Sequence, residues 1–225
     1  MPVLDRLTPP PLVAVFDAYG TLFDVHSAVA RHAAALGGAA GPFSEAWRAK
    51  QLEYTWVRSL AGRYRDFEAV TEDALDAAFA LHPAVDPGLR GRLLEAYRVL
   101  DPYPEVPEVL GRIRGRGIRT AILSNGTAAM LSDAVAAAGL AAQFDGVLSV
   151  DGLGVYKPDP RVYATVLEAF GTARRETLFV SSNRWDVAGA AAFGFACVWV
   201  NRSGRPDEYG DLPPLASVAT LDDLA

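Results

Sequence analysis

The run "LVAVF", residues 12–16, constrains the fold most. Five apolar residues follow one another and are succeeded at once by Asp17, then by Gly20 and Thr21. An unbroken apolar run, rather than alternation, is what a parallel strand buried on both faces requires. Such a strand must share its sheet with neighbours reached by crossovers, usually helical. The chain has 225 residues, 51% of them hydrophobic, enough for one large core or for a core with a smaller insert.

From Val25 to about Leu100 the pattern becomes helical. "FSEAWRAKQLEYTWVRSLAGRY" repeats apolar residues at helix spacing, with Ser44 as the expected N-cap. "TEDALDAAFALH" and "DPGLRGRLLEAYRVL" predict two further helices, opened by Thr71 and by Asp86 with Pro87. After "DPYPEVPEV" strands and helices alternate. "RTAILS", "GVLSV", "TLFVSS" and "ACVWVN" are strands. Helices are expected over 128–138, over "DPRVYATVLEAFG" with Asp159 as cap and Gly171 as stop, and near "DVAGAAAF". The tail "GRPDEYGDLPPLASV" reads as loop. The pattern predicts an α/β core over 1–22 and 102–225, with a helical cap over 23–101 inserted after the first strand. In such open sheets ligands sit outside the carboxyl ends of the strands. Asp17, Ser124 with Asn125, the loop reaching Lys157, and Ser181 to Asn183 all fall there.

The formal net charge is −6 and no basic stripe is present, which argues against a nucleic-acid partner. No apolar run reaches membrane-spanning length. The N-terminal segment carries Asp5 and no apolar h-region, so no signal peptide is expected. The single cysteine, Cys197 in "FACVWVN", predicts a small core residue and a reducing, cytoplasmic setting. His26, His32 and His82 lack metal-ligand spacing, and no Gly-x-Ser-x-Gly elbow or Walker loop occurs.

Four ordered motifs, "FDAYGTLFDV", "LSNG", "VYKPDPRVY" and "VSSNRWD", together resemble the haloacid dehalogenase superfamily, and more narrowly its L-2-haloacid dehalogenases. "WRAKQLEYTWVRSL" matches that subfamily as well. The resemblance spans nearly the whole chain. It implies a Rossmann-like parallel-sheet core with a helical cap, no cofactor, and a homodimer. Implied partners are a small 2-haloalkanoate and a halide ion.

Read as a residue, Asp17 after a strand is either a turn-forming Asx residue or a nucleophile able to split one hard displacement into two easier ones. The other motifs favour the nucleophile. The resemblance then makes Thr21 its hydrogen-bond donor, Lys157 the cation that keeps it ionised, and Tyr163 the support of that lysine. Ser181, Asn183 and Asp186 would orient Lys157 and the hydrolytic water. Ser124 and the amides of Ala18 and Tyr19 would bind the substrate carboxylate. Arg48 would receive the departing halide with Asn125 and Phe67, while Leu52 and Trp185 line the pocket. Each has a plainer reading too: Arg48 as a surface arginine, Lys157 as a solvated loop lysine, Tyr163 as helix core, Ser182 and Asn183 as a helix cap.

Tyr19 is the telling departure. Phosphatases of this superfamily resemble D-x-D here, the second Asp protonating a leaving oxygen. A halide needs no proton, so an aromatic wall serves instead. The fourth motif agrees: it holds one acid, Asp186, where Mg²⁺ would need several oxygen ligands, and Arg184 places a bulky cation where a small residue is expected. The alternatives are a metal-dependent phosphatase on the same fold and a non-catalytic ligand-binding scaffold.

Overall fold

The apolar run becomes β1 (Val13–Phe16), and all four of its residues are buried. The computed structural model describes residues 1–225. After β1 come α1 (Ser27–Ala30), α2 (Ala33–Leu36), α3 (Ala40–Leu60), α4 (Phe67–Leu81), α5 (Arg90–Arg98) and α6 (Val106–Gly115). Strands and helices then alternate: β2 (Arg119–Ser124), α7 (Ala128–Ala137), β3 (Gly146–Ser149), α8 (Pro160–Phe170), β4 (Thr177–Ser181), α9 (Arg184–Phe193), β5 (Ala196–Val200) and β6 (Ala216–Val218).

The six strands form one parallel sheet in the order β3-β2-β1-β4-β5-β6. This is the doubly wound order, and it reverses direction between β1 and β4. Phe16 is in register with Ile122 of β2 and Val180 of β4, so Asp17 emerges level with both neighbours' carboxyl ends. Helix α6 packs on β2, α7 and α8 on β3, and α9 on β4 and β5. The helices between β1 and α6 pack chiefly on one another, α3 along α4 and α1 on α5 and α3. Phe43, Trp47, Phe67 and Leu75 are fully buried among them.

Several expectations are corrected. Ser44 caps nothing: α3 begins at Ala40, and Ser44 lies buried inside it, bonded to His26 Nδ1 at 2.7 Å. Pro42 sits in the first turn, where a missing N–H breaks no helical bond. Thr71 is likewise internal. Asp66 caps α4 by accepting from the Ala69 amide at 2.8 Å. Asp86 opens a 3₁₀ turn (Pro87–Leu89) that leads into α5. The tail is not all loop, because β6 adds a sixth strand at the edge. Helices α1, α2 and α6 were not anticipated; the first two are only four residues each and too short for a periodic signal. No helix is long and apolar enough to cross a membrane.

Candidate active site

The sheet's reversal point brings two turns together: the one leaving β1 and the one joining β4 to α9. Asp17 sits on the first and is 95% buried, yet it is surrounded by donors. Thr21 Oγ1 donates to its Oδ2 at 3.1 Å, Asn183 Nδ2 to the same oxygen at 2.8 Å, and Ser181 Oγ lies 3.5 Å away. Lys157 Nζ donates to Oδ1 at 3.0 Å. Gly20, at φ +89°, allows the chain to turn back so that Thr21 faces Asp17. The amides of Ala18 and Tyr19 donate to no protein acceptor. Two free N–H groups on one tight turn make an anion-binding concavity.

Lys157 is 99% buried and also donates to Asp186 Oδ2 at 2.8 Å. Its ammonium therefore bridges two carboxylates. Burial alone would lower its pKa, but Asp17 and Asp186 outweigh that effect, and the group is held above its ordinary value. Asp186 is fully buried. Burial raises its pKa and the negative Asp17 adds to this; Lys157 and Tyr163 pull it down, leaving it at about 6. The resemblance implies that Tyr163 supports Lys157. Its hydroxyl donates to Asp186 Oδ1 at 2.8 Å, so its hold on the lysine runs through that carboxylate. No group of three or more His, Cys, Asp or Glu side chains is arranged to hold a metal ion.

Tyr19 is buried, its ring stacked 5.6 Å from Tyr97 and tilted 35° to Phe67 at 5.5 Å. Gly126 makes room for it: a Cβ there would lie 2.7 Å from Tyr19 Cε2. Ser124 is buried at the end of β2, where its Oγ accepts from the Gly126 amide at 3.1 Å. Asn125 does not touch Asp17. Its Oδ1 accepts from the Lys157 amide at 3.0 Å and so fixes the lysine's loop. Arg48, on α3, reaches down from the helical layer; its Nη2 lies 3.3 Å from Tyr19 O and 3.5 Å from Asn183 Oδ1. Leu52, one turn further along α3, and Trp185 line the same cavity as Arg48, of about 550 Å³.

Arg184 turns away from Asp17. Its guanidinium is buried, donating to Asp207 Oδ1 at 2.5 Å and to the carbonyls of Tyr209 and Leu212 at 3.2 and 3.0 Å. The bulky cation thus pins the segment before β6 and leaves the Asn183 geometry free. Two contributors, Arg202 and Tyr97, escape the sequence reading, and a third, Ser182, reads there only as a strand end or helix cap. Ser182 donates its amide to Thr21 Oγ1 at 2.8 Å and its hydroxyl to Gly20 O at 2.6 Å. Arg202 donates to Gly20 O and Thr21 O at 3.2 and 3.0 Å, fastening the Asp17 turn. Its position two residues past β5 was a usable signal, being another polar strand end. Tyr97 gave none, since an aromatic on an amphipathic helix looks like core.

The arrangement is a buried carboxyl group aimed beside two free amides, with a cation and a second carboxylate behind it. It can attack an electrophilic carbon, hold an anionic substrate, and release a leaving anion toward Arg48. Known proteins agree with this chemistry. Residues 12–194 match the haloacid dehalogenase-like hydrolase family. (S)-2-Haloacid dehalogenase 1 of Pseudomonas sp. (strain CBS-3) is 46% identical over 213 residues, 93% of each chain. A crystal structure of a dehalogenase superposes with a TM-score of 0.94 at 44% identity, covering 97% of each chain. The L-2-haloacid dehalogenase of Xanthobacter autotrophicus, with chloropropionic acid covalently bound, superposes at 0.86 with 39% identity, covering 95% of this chain and 96% of that one.

Proposed function

Because this chain belongs to the haloacid dehalogenase-like hydrolases and, within them, to the (S)-2-haloacid dehalogenases, we propose that it converts (S)-2-haloacids to (R)-2-hydroxyacids through an ester on Asp17. The observation that carries the reading is the Asp17 carboxylate itself, buried, gripped on Oδ2 by Thr21 and Asn183, and paired on Oδ1 with Lys157.

The substrate carboxylate binds the free amides of Ala18 and Tyr19 with the Ser124 hydroxyl. Oδ2 accepts from three side chains, Thr21, Asn183 and, at 3.5 Å, Ser181, and Oδ1 from one, so the lone pair that attacks C2 belongs to Oδ1. The carbon–halogen bond breaks as the new C–O bond forms on the opposite face. Halide departs toward Arg48, Asn125 and the edge of Phe67, with Leu52 and Trp185 as apolar walls. Arg48 suits this role because guanidinium is permanently charged and weakly hydrated. Tyr19 closes the site as an aromatic wall, and the leaving anion takes no proton from it. Water then attacks the acyl carbon of the ester and gives a proton to Asp186, which is mainly ionised at neutral pH. Lys157, Asn183 and Ser181 hold the developing charge, and Tyr163 holds Asp186. The adduct collapses by breaking the acyl C–O bond; the former Asp17 oxygen leaves as the product hydroxyl with one of the water's two protons, the other passes from Asp186 to solvent, and Asp17 is again a carboxylate, now carrying the water's oxygen. Helical residues 23–101 act as a cap over the core of 1–22 and 102–225, excluding bulk water from the first step.

We place the enzyme in the cytoplasm, in keeping with one buried, unpaired cysteine. We read it as a homodimer. Val57 and Leu60 stand 57% and 89% exposed on α3 and offer an apolar face.

The test is chloride release from the two 2-chloropropionate enantiomers. The (S) form should yield equimolar chloride and (R)-lactate, and the (R) form should be inert. (S)-Lactate would contradict a single displacement at carbon. Mg²⁺-dependent hydrolysis of p-nitrophenyl phosphate without chloride release would favour the phosphatase.

A further inference from the structure

Two cavities meet at Trp185, whose indole stands edge-on to Trp56 of α3 at 5.5 Å. One, of about 550 Å³, lies outside Arg48 and is lined by Arg184, Arg202, Arg205, Asn201 and Ser203 among others. The second, of about 920 Å³, lies outside Lys157 and is mainly apolar, with Trp56, Leu60, Ala192 and Phe193 in its wall.

We propose that the first cavity is the port by which an anionic substrate enters and the halide leaves, with Arg48 as its inner gate; this rests on the dehalogenase reading. Four guanidinium groups line it against two carboxylates, Glu45 and Glu208. The carboxylates paired with Arg184 and Arg202, namely Asp207 and Glu105, lie outside the lining, so the cavity meets the cationic side of each pair. Arg48 and Arg205 have no carboxylate within salt-bridge distance. A cleft lined this way concentrates small anions even on a protein of net charge −6. The second cavity shows an anion a mainly apolar wall with one guanidinium, Arg174, and the cation on its inner side, Lys157, is already held by two carboxylates.

Three exposed positions away from the catalytic groups test this. Ser203→Phe narrows the first cavity, Arg205→Glu reverses charge at its rim, and Ala192→Phe obstructs the second. The first two should lower kcat/KM for 2-chloropropionate by at least about threefold, with kcat less affected. The Arg205→Glu loss should fade at high salt. Ala192→Phe should match the parent enzyme. The same variants are compared by iodide quenching of tryptophan fluorescence, which needs no reaction. Trp199 lines the first cavity alone, Trp185 both and Trp56 the second alone, so quenching is read in a Trp56→Phe background, where Arg205→Glu should weaken it and Ala192→Phe should change it less than Arg205→Glu does. A loss confined to Ala192→Phe, or no change in any variant, overturns the port. Quenching that follows the expected pattern in a protein inert toward haloacids would retain the port and reject the dehalogenase.

Discussion

Lys157 shows how much of the site depends on single atoms. Its ammonium sits 3.0 Å from Asp17 and 2.8 Å from Asp186, with almost no contact with solvent. Removing it would leave two buried carboxyl groups facing one another with no cation between them. Tyr163 then decides how easily Asp186 can accept a proton. Tyr163→Phe keeps the ring packed 5.7 Å from Phe179 and removes only the hydroxyl donor. A hydrogen bond to a charged group contributes about 1.5–3 kcal/mol, which corresponds to roughly 1–2 pH units. Losing the donor destabilises the carboxylate, so the Asp186 pKa rises from about 6. Asp186 works as the anion, and kcat falls as pH drops through that pKa. The acid limb of the kcat profile should therefore move upward by about a unit in Tyr163→Phe. An unmoved limb would place the base elsewhere. Arg48→Lys tests the halide end: the charge survives but the planar fork is lost, and kcat should fall at least about tenfold, roughly 1.4 kcal/mol of barrier. These residues were legible as strand-end polar groups and by resemblance. The Tyr163–Asp186 bond was not, because spacing along the chain carries no information on where a hydroxyl points.

Strands were easier to place than helix starts, and the reason is local. An apolar run that ends on Asp17, Ser124 or Ser181 marks both the strand and its end. Helix starts are ambiguous because several cap-forming residues compete. Asp66 displaces Thr71, and Ser44 yields to a start four residues earlier. β6 spans three residues and follows two prolines, too short for a period-two signal. Packing between elements carries the site's precision. A Cβ on Gly189 of α9 would lie 2.5 Å from Pro158 Cβ and 2.6 Å from the Tyr163 hydroxyl. Gly189→Ala must therefore push α9 away from the loop that carries Lys157 and from α8 at once. Overpacking of this kind costs about 1–3 kcal/mol, lowering Tm by roughly 2–4 °C per kcal/mol in a chain this long. We expect kcat to drop by at least about tenfold as well. Gly91→Ala on α5, where a Cβ meets nothing within 4 Å, should leave both unchanged or raise Tm slightly. Equal effects in the two variants, by thermal melts and steady-state kinetics, would show that close approach at Gly189 is unimportant.

At the scale of the whole molecule, the sheet order matters most, and it was the least legible feature. Alternation of strands and helices predicts a parallel sheet but does not say which strands are neighbours. Pairing β1 between β2 and β4 places Asp17, Ser124 and Ser181 in one crevice, although 107 and 57 residues of chain separate them. The helical layer then covers that crevice with Arg48 and Phe67 from a segment that contributes no strand. The account's central claim is that Asp17 is the nucleophile and not a base that activates water against C2. Both schemes use the same residues, and Asp17→Asn is expected to be inactive under either. The deciding measurement is a single turnover in H₂¹⁸O with enzyme in excess over (S)-2-chloropropionate, read by mass spectrometry of product and of the peptide containing Asp17. A covalent ester predicts label in the Asp17 carboxylate and none in the hydroxy acid. Label in the hydroxy acid with an unlabelled peptide would contradict it.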